Sequence, residues 1–338
     1  MLRPDASLAY ADDFAQVSPH LILQAVESIG LEPDGSSLPL NSYENRVVRL
    51  GMLEADPVIV KFYRPHSWQA AHILEEHQLC LQLAQANLPV NAPLTFDQQS
   101  LFNYQGFYFA LYPYQVHRSR VWEDDNEYLD ALYQLGHLFA RIHTQSRKIT
   151  YQHRPHFDWC RQWQQAWHII LATPWLTKIQ TSQLTALETS LRSLIESRLA
   201  HVKSSRLQPI QGDAHLGNLL WTPSPYLIDF DDSIQGLPVQ DLWMLAQAED
   251  PKEEALRWSE LIDGYQEEAT FPFHELAWIE ILRTLRILEH TAWLVLHRNE
   301  AAFATLANIQ TADFWSQILL HLHRQENALK QAPLTLNA

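Results

Sequence analysis

Gln211-Gly212-Asp213-Ala214-His215-Leu216-Gly217-Asn218, followed by Leu227-Ile228-Asp229-Phe230-Asp231-Asp232, decides how the rest of the chain is read. Asp213 precedes Asn218 by five positions, and Asp229 follows Asp213 by 16. The intervening residues Leu219 to Ile228 read as strand, turn and strand, so Asp229 should return to the side of Asn218.

That order supplies the groups that phosphoryl transfer asks of a protein. Asp213, ionised at neutral pH with an ordinary carboxyl pKa near ~3.9, can orient a hydroxyl and accept its proton. Asn218 offers a neutral amide oxygen to Mg²⁺ and Asp229 a charged one. Magnesium takes about six oxygens, several from water and phosphate, so two protein ligands suffice. A lone aspartate in a turn is commonplace; the ordered set is not.

Upstream, Arg46–Leu50 and Val58–Tyr63 read as an antiparallel hairpin around the turn Glu54-Ala55-Asp56-Pro57. Lys61 interrupts the apolar second strand and shares a face with Ile59 and Tyr63, so it needs a partner. The expected partners are ATP phosphates and Glu76. Ser67 is expected to cap a helix running to about Asn87, on which Glu76 shares the face of Ile73, Cys80 and Leu83 while Glu75 turns toward solvent. The polar turn Asn41-Ser42-Tyr43-Glu44-Asn45 stands where a phosphate-covering loop belongs, with Ser42 able to contact a phosphate, although a glycine-rich pattern is missing. Phe107–Tyr112 is a further strand, closed by Pro113.

Beyond Pro113 the periodicity is helical, at 129–143, 159–172, 183–202, 241–248, 255–265, 278–297 and 313–328. The expected class is α+β and bilobal: an N-lobe over residues 1–113 with a small antiparallel sheet, and a larger, mostly helical C-lobe over 114–338. Asp241 can cap its helix or brace the Asp213 loop through backbone N–H groups. His143 reads as a satisfied core histidine, His215 as a shaper of Asp213, and Asp231 and Asp232 as added charge near Asp229.

With 39 acidic against 24 basic side chains, the net charge of -15 argues against a broad nucleic-acid or anionic-membrane surface. Two cysteines give no disulfide framework, and the N-terminal Arg3, Asp5, Asp12 and Asp13 interrupt any apolar signal core. A cytoplasmic location follows as the expectation. The histidines of His153-Arg154-Pro155-His156 and His321-Leu322-His323 lack zinc-site spacing.

The Gln211-Gly212-Asp213…Asn218 and Ile228-Asp229-Phe230-Asp231 pair resembles the aminoglycoside phosphotransferase/choline kinase superfamily, which shares the protein-kinase fold. Blocks at 40–47, 60–65, 75–78, 105–109 and 239–245 are similar to the bacterial stress response kinases within it. The resemblance implies Asp213 as base, Asn218 and Asp229 as magnesium ligands, Lys61 as ATP anchor and Ser42 in the nucleotide loop. It also implies serine/threonine protein kinase activity in stress physiology. One departure is Gln211, where the superfamily usually has His.

The expectation is an ATP- and Mg²⁺-dependent kinase acting on a protein Ser/Thr acceptor, its own chain among the candidates. It is expected to be a monomer that binds neither nucleic acid nor membrane. Two rivals stay open: a small-molecule kinase for an amino alcohol or aminoglycoside-like acceptor, and a nucleotide-binding regulator without turnover.

Overall fold

A computed structural model describes residues 16–42, 44–65, 67–116, 122, 124–221, 223–298 and 308–336. Arg3, Asp5, Asp12 and Asp13, on which the signal-core expectation rests, and Tyr43 of the polar turn lie outside the described residues. The helices are α1 (Pro19–Glu27), α2 (Ala70–Gln85), α3 (Asp125–Ser146), α4 (Trp159–Leu171), α5 (Lys178–Leu199), α6 (Trp243–Ala246), α7 (Pro251–Gln266), α8 (Ile279–Leu296) and α9 (Ala312–Lys330). The strands are β1 (Pro33–Pro39), β2 (Arg46–Met52), β3 (Val58–Phe62), β4 (Phe102–Tyr104), β5 (Phe107–Pro113), β6 (Gln208–Ile210), β7 (Leu219–Trp221), β8 (Pro225–Leu227) and β9 (Ile234–Gly236). The described residues of Asp12–His156 and Leu207–Phe271 form one compact unit, and those of Phe157–Arg206 and Pro272–Ala338 another.

In the first unit five strands pair antiparallel in the order β1-β2-β3-β5-β4. Alternation along β3 builds two cores. Val58, Val60 and Phe62 pack with Val48, Leu50, Phe109 and Leu111 against Leu21, Ile22, Ala25 and Val26 of α1. On the opposite face Ile59, Tyr63, Ala110 and Tyr112 meet Ile73 of α2. Lys61 thus stands on a central strand, its Cα in register with Val47 and Ala110, and not on an edge. β1 escapes a periodicity reading because Pro-Asp-Gly-Ser-Ser-Leu-Pro is almost wholly exposed. At the start of α2 the cap position is Gln69, without a side-chain cap; the Ser67 N–H instead bonds the Arg64 carbonyl at 3.2 Å.

Helices α3 and α7 cross at two glycines. A Cβ on Gly136 would meet the Leu261 carbonyl oxygen at 2.0 Å, and one on Gly264 would meet that of Tyr133 at 1.9 Å. Only glycine permits this approach, which sets His143 of α3 beside Tyr265 of α7.

The second unit is helical. Trp163 and Trp167 of α4, Leu184 and Leu191 of α5, Leu285 and Leu288 of α8, and Trp315 and Leu322 of α9 share one core. Helix α8 matches the apolar segment read at 278–297, and its Arg283 pairs with Glu280 at 2.7 Å. Among the described residues no helix is long and apolar enough to cross a membrane.

Candidate active site

The 211–218 loop leaves β6 and is held from beneath by Asp241. The Asp241 carboxylate accepts from the backbone N–H groups of Gln211 (2.9 Å) and Gly212 (2.8 Å) and from His143 Nε2 (3.1 Å). His143 Nδ1 lies 3.1 Å from the Tyr265 hydroxyl. Asp241 and His143 are both fully buried. Asp241 is therefore a brace and not a helix cap: it ends a 3-10 turn, Pro238–Asp241, and α6 follows. Gly212 has φ +88°, and a Cβ there would stand 2.2 Å from the Asp232 carbonyl oxygen. Glycine lets the Asp213 loop and the Asp229 loop touch backbone to backbone.

Gln211 links the same two loops through its side chain. Its Oε1 accepts from the Asp213 N–H at 2.8 Å, and its Nε2 donates to the carbonyls of Ile228 (3.4 Å) and Asp229. The Asp213 carboxylate is 20% exposed and sits 3.5 Å from His215 Nε2. His215 Nδ1 accepts from the Gly217 N–H at 2.9 Å. That acceptor role puts the ring proton on Nε2, facing Asp213.

The β7–β8 hairpin does what its spacing predicts. Leu219 pairs with Leu227, and the Ile228 N–H bonds the Asn218 carbonyl at 3.0 Å. Asn218 and Asp229 therefore flank the same end of the hairpin. Asn218 Nδ2 donates to the Asp213 carbonyl at 3.0 Å, which uses the amide's donor end and leaves its oxygen as the end for a cation. Asp229 adopts φ +57°, a left-handed conformation costing on the order of 1 kcal/mol for a residue with a Cβ. The Gln211 bond to its carbonyl helps hold it there.

Lys61 Nζ reaches Asp229 Oδ1 at 3.1 Å and Asp231 Oδ1 at 3.5 Å. Burial pulls the Lys61 pKa down, but Asp229, Asp231, Glu76 and Tyr112 outweigh it, and the ammonium is held well above its ordinary range. The expected direct pairing with Glu76 is not what forms. Glu76 Oε2 binds Arg154 Nη2 at 2.8 Å, both side chains buried, and influences Lys61 only through its field. Removing one partner of such a pair strands a buried charge at a cost of about 3–5 kcal/mol.

Glu75 departs from the solvated role as well. Its carboxylate accepts from the backbone N–H groups of Gln152 (2.5 Å), His153 (2.9 Å) and Arg154 (2.8 Å). Ser42 lies exposed in the β1–β2 connection, where its hydroxyl accepts from the Asn45 N–H at 3.3 Å. Asn45 escapes sequence reading: its Nδ2 donates to Asp231 Oδ2 at 3.0 Å, and its Oδ1 accepts from the Arg64 N–H at 3.1 Å. No motif flags it, because its partner lies 186 residues away.

Among the described residues no three His, Cys, Asp or Glu side chains gather as a metal cluster. The donor set is sparser: one amide and one or two carboxylates, all hard oxygens, beside a lysine ammonium that already marks the spot as favourable for positive charge. Such a set fits a divalent ion of the magnesium or calcium type.

A family profile described as the phosphotransferase enzyme family matches residues 37–279. Stress response kinase A of Shigella flexneri is 34% identical over 327 residues, covering 96% of this chain and 97% of the relative. The serine/threonine protein kinase RdoA of Salmonella typhimurium is 32% identical, with the same coverages. Among solved structures, the amicoumacin kinase hAmiN, in complex with AMP-PNP and Ca²⁺, superposes with a TM-score of 0.71 at 17% identity, covering 91% of this chain and 93% of that one. The chain belongs to the phosphotransferase enzyme family and, within it, to the group of the stress response kinase A proteins. It is a kinase on the protein-kinase-like α+β fold.

Proposed function

We propose that this kinase transfers the γ-phosphoryl group of ATP to a serine or threonine hydroxyl of a protein, with magnesium as the metal. The observation that carries the reading is the convergence of Asp213, Asn218, Asp229 and Lys61 on one braced pair of loops. Asp213, partly exposed on a loop held by Asp241, orients the acceptor hydroxyl and takes its proton. Asn218 Oδ1 and the Asp229 carboxylate hold the metal. Magnesium, when bound, neutralises phosphate charge as it builds toward the transition state. Lys61 presents a permanent positive charge to the phosphates, with Glu76 behind it in the field that keeps it protonated. The Ser42 hydroxyl and backbone cover the phosphates from the β1–β2 connection, and the adenine lies against the backbone of the segment Leu111 to Tyr114. Rate comes from positioning and charge neutralisation, without a covalent intermediate.

The relative named a serine/threonine protein kinase supports the acceptor class. The fold shared with an amicoumacin kinase supports a second reading, in which a small cationic molecule is phosphorylated. A cytoplasmic monomer acting on a protein, its own chain included, completes the proposal; the two cysteines outside any disulfide suit such a compartment.

Radiolabelled ATP with Mg²⁺, offered to a protein substrate and to an amino-alcohol and aminoglycoside panel, separates the two. Label on Ser/Thr alone supports the first; label on a small acceptor alone replaces it with the second. Asp213→Ala should lower turnover by about 10²–10⁴ while leaving nucleotide binding intact. Wild-type turnover in that variant would refute the assignment of the base.

A further inference from the structure

Arg154 belongs to none of the motifs that carry phosphate chemistry. It lies in the irregular segment between α3 and α4, yet its guanidinium is fully buried and makes four hydrogen bonds. Nη2 donates to Glu76 Oε2 at 2.8 Å and Nε to the His72 carbonyl at 2.9 Å, both on α2. Nη1 donates to the carbonyls of Asp231 (2.7 Å) and Ser233 (2.9 Å), in the loop that begins at Asp229. The guanidinium carbon stands 4.7 Å from the ring centroid of Trp68. Its own backbone is pinned to α2 by Glu75. A planar fork with five N–H donors can serve a helix and a loop at once; an ammonium cannot.

The consequence concerns Asp229. Neither Glu75 nor Glu76 contacts Lys61 or Asp229 directly, since both carboxylates are spent on the Arg154 segment. The loop carrying Asp229 and Asp231 is gripped at the Asp231 and Ser233 carbonyls by the same guanidinium. Any shift of α2 therefore reaches the metal-binding loop through Arg154.

We propose that Arg154 is a positioning residue that locks the Asp229–Ser233 loop to α2 through Glu76, and so presents Asp229 to the metal-bound nucleotide. The proposal rests on the phosphotransferase reading of the site given above. A purely structural arginine would change stability alone, whereas this one sets how much magnesium improves nucleotide binding.

The test is calorimetric titration of the full chain with AMP-PNP, a non-hydrolysable ATP analogue, with Mg²⁺ and with EDTA. Arg154→Lys keeps the charge but loses the fork. It should lose about tenfold or more of the magnesium-linked gain in affinity, while affinity in EDTA stays at the wild-type level. Glu76→Gln should act in the same direction, and the double variant should be no worse than the more impaired single one, because both cut one link. A folded Arg154→Lys chain with the full magnesium-linked gain would overturn the proposal. Should Arg154→Lys not fold, Glu76→Gln decides by the same criterion. A wild-type chain with no magnesium-linked gain would instead overturn the reading of Asn218 and Asp229 as metal ligands, and this inference with it. A normal wild-type gain with unaltered variants removes Arg154 alone.

Discussion

Gln211 carries a donor and an acceptor to the Asp213 and Asp229 loops, and both ends are used. Replacing it by Leu keeps the volume but strands the Asp213 N–H and the Asp229 carbonyl, at about 1–3 kcal/mol for each group. Gln211→Leu should cut turnover by one to two orders of magnitude, about 1.4 kcal/mol per factor of ten. Gln211→His should retain most of it, because a neutral imidazole also offers one donor and one acceptor. Steady-state rates of the two variants check this; equal rates would show that the side-chain bridge is immaterial. At this scale the sequence is legible where a side chain acts through its immediate neighbours. Asp213, Asn218 and Asp229 fall on one loop and hairpin, so their spacing announces them. Lys61 announces itself as a cation inside an apolar strand, but its partners Asp229 and Asp231 do not, since they lie 168 and 170 residues further along the chain. Glu76 was the nearer acid by periodicity, and periodicity is blind to an arginine arriving from another segment.

Helix α2 is the element on which the buried electrostatics turn. Next to Glu76 stands His77, with Nε2 2.8 Å from the Tyr63 hydroxyl and Nδ1 2.9 Å from that of Ser100. Burial, then Lys61 and Arg154, hold its pKa down to about 3, whereas an imidazole in the unfolded chain titrates near ~6.5. Between those values the folded chain binds fewer protons than the unfolded one. The stability due to His77 is thus complete above pH ~6.5 and is lost as pH falls toward about 3. Glu76 has the opposite sign. Burial raises its pKa to about 7 against the pull of Lys61 and Arg154, so its contribution falls as pH rises from about 4.3 through that value. Over the shared window the two offset each other. In His77→Gln one side of the balance is gone. Its stability difference from wild type should shrink by about 1.4 kcal/mol per pH unit on acidification below pH ~6.5. Urea unfolding near pH ~7.5 and ~5 measures the difference; a gap that does not move with pH would show that His77 is not held neutral. The elements themselves were largely readable. Strands β2, β3, β5, β7 and β8 carry alternation or apolar runs, and β4 alternates as Phe-Asn-Tyr but over three residues only; β1, β6 and β9 do not. Those last three are strands because partners accept them, since Pro, Gly, Asp and Ser do not favour the extended ladder.

For the whole molecule, on the proposed protein-acceptor reading, the net charge of -15 should favour acceptors with basic flanks. Long-range attraction decays over about 10 Å at 0.1 M salt. The kcat/KM for a peptide with basic residues around its Ser or Thr should therefore fall several-fold as ionic strength rises from about 0.05 to 0.3 M, while a neutral peptide changes little. Steady-state kinetics with the two peptides checks this, and identical salt responses would remove charge as a basis for acceptor choice.

By itself the sequence determined the α+β class, the hairpin that returns Asp229 to Asn218, the loop that carries Asp213 and the strand that carries Lys61. All of these depend on contacts within about 20 residues or on the period of one element. Tertiary structure decided which partner each buried carboxylate or cation finds: Lys61 with Asp229 and Asp231, Glu76 with Arg154, the Asn45 amide with Asp231, and Asp241 with the backbone of the loop above it. A buried charge accepts whichever opposite group the packed chain brings within hydrogen-bond reach, and nothing in the local pattern of residues encodes that meeting.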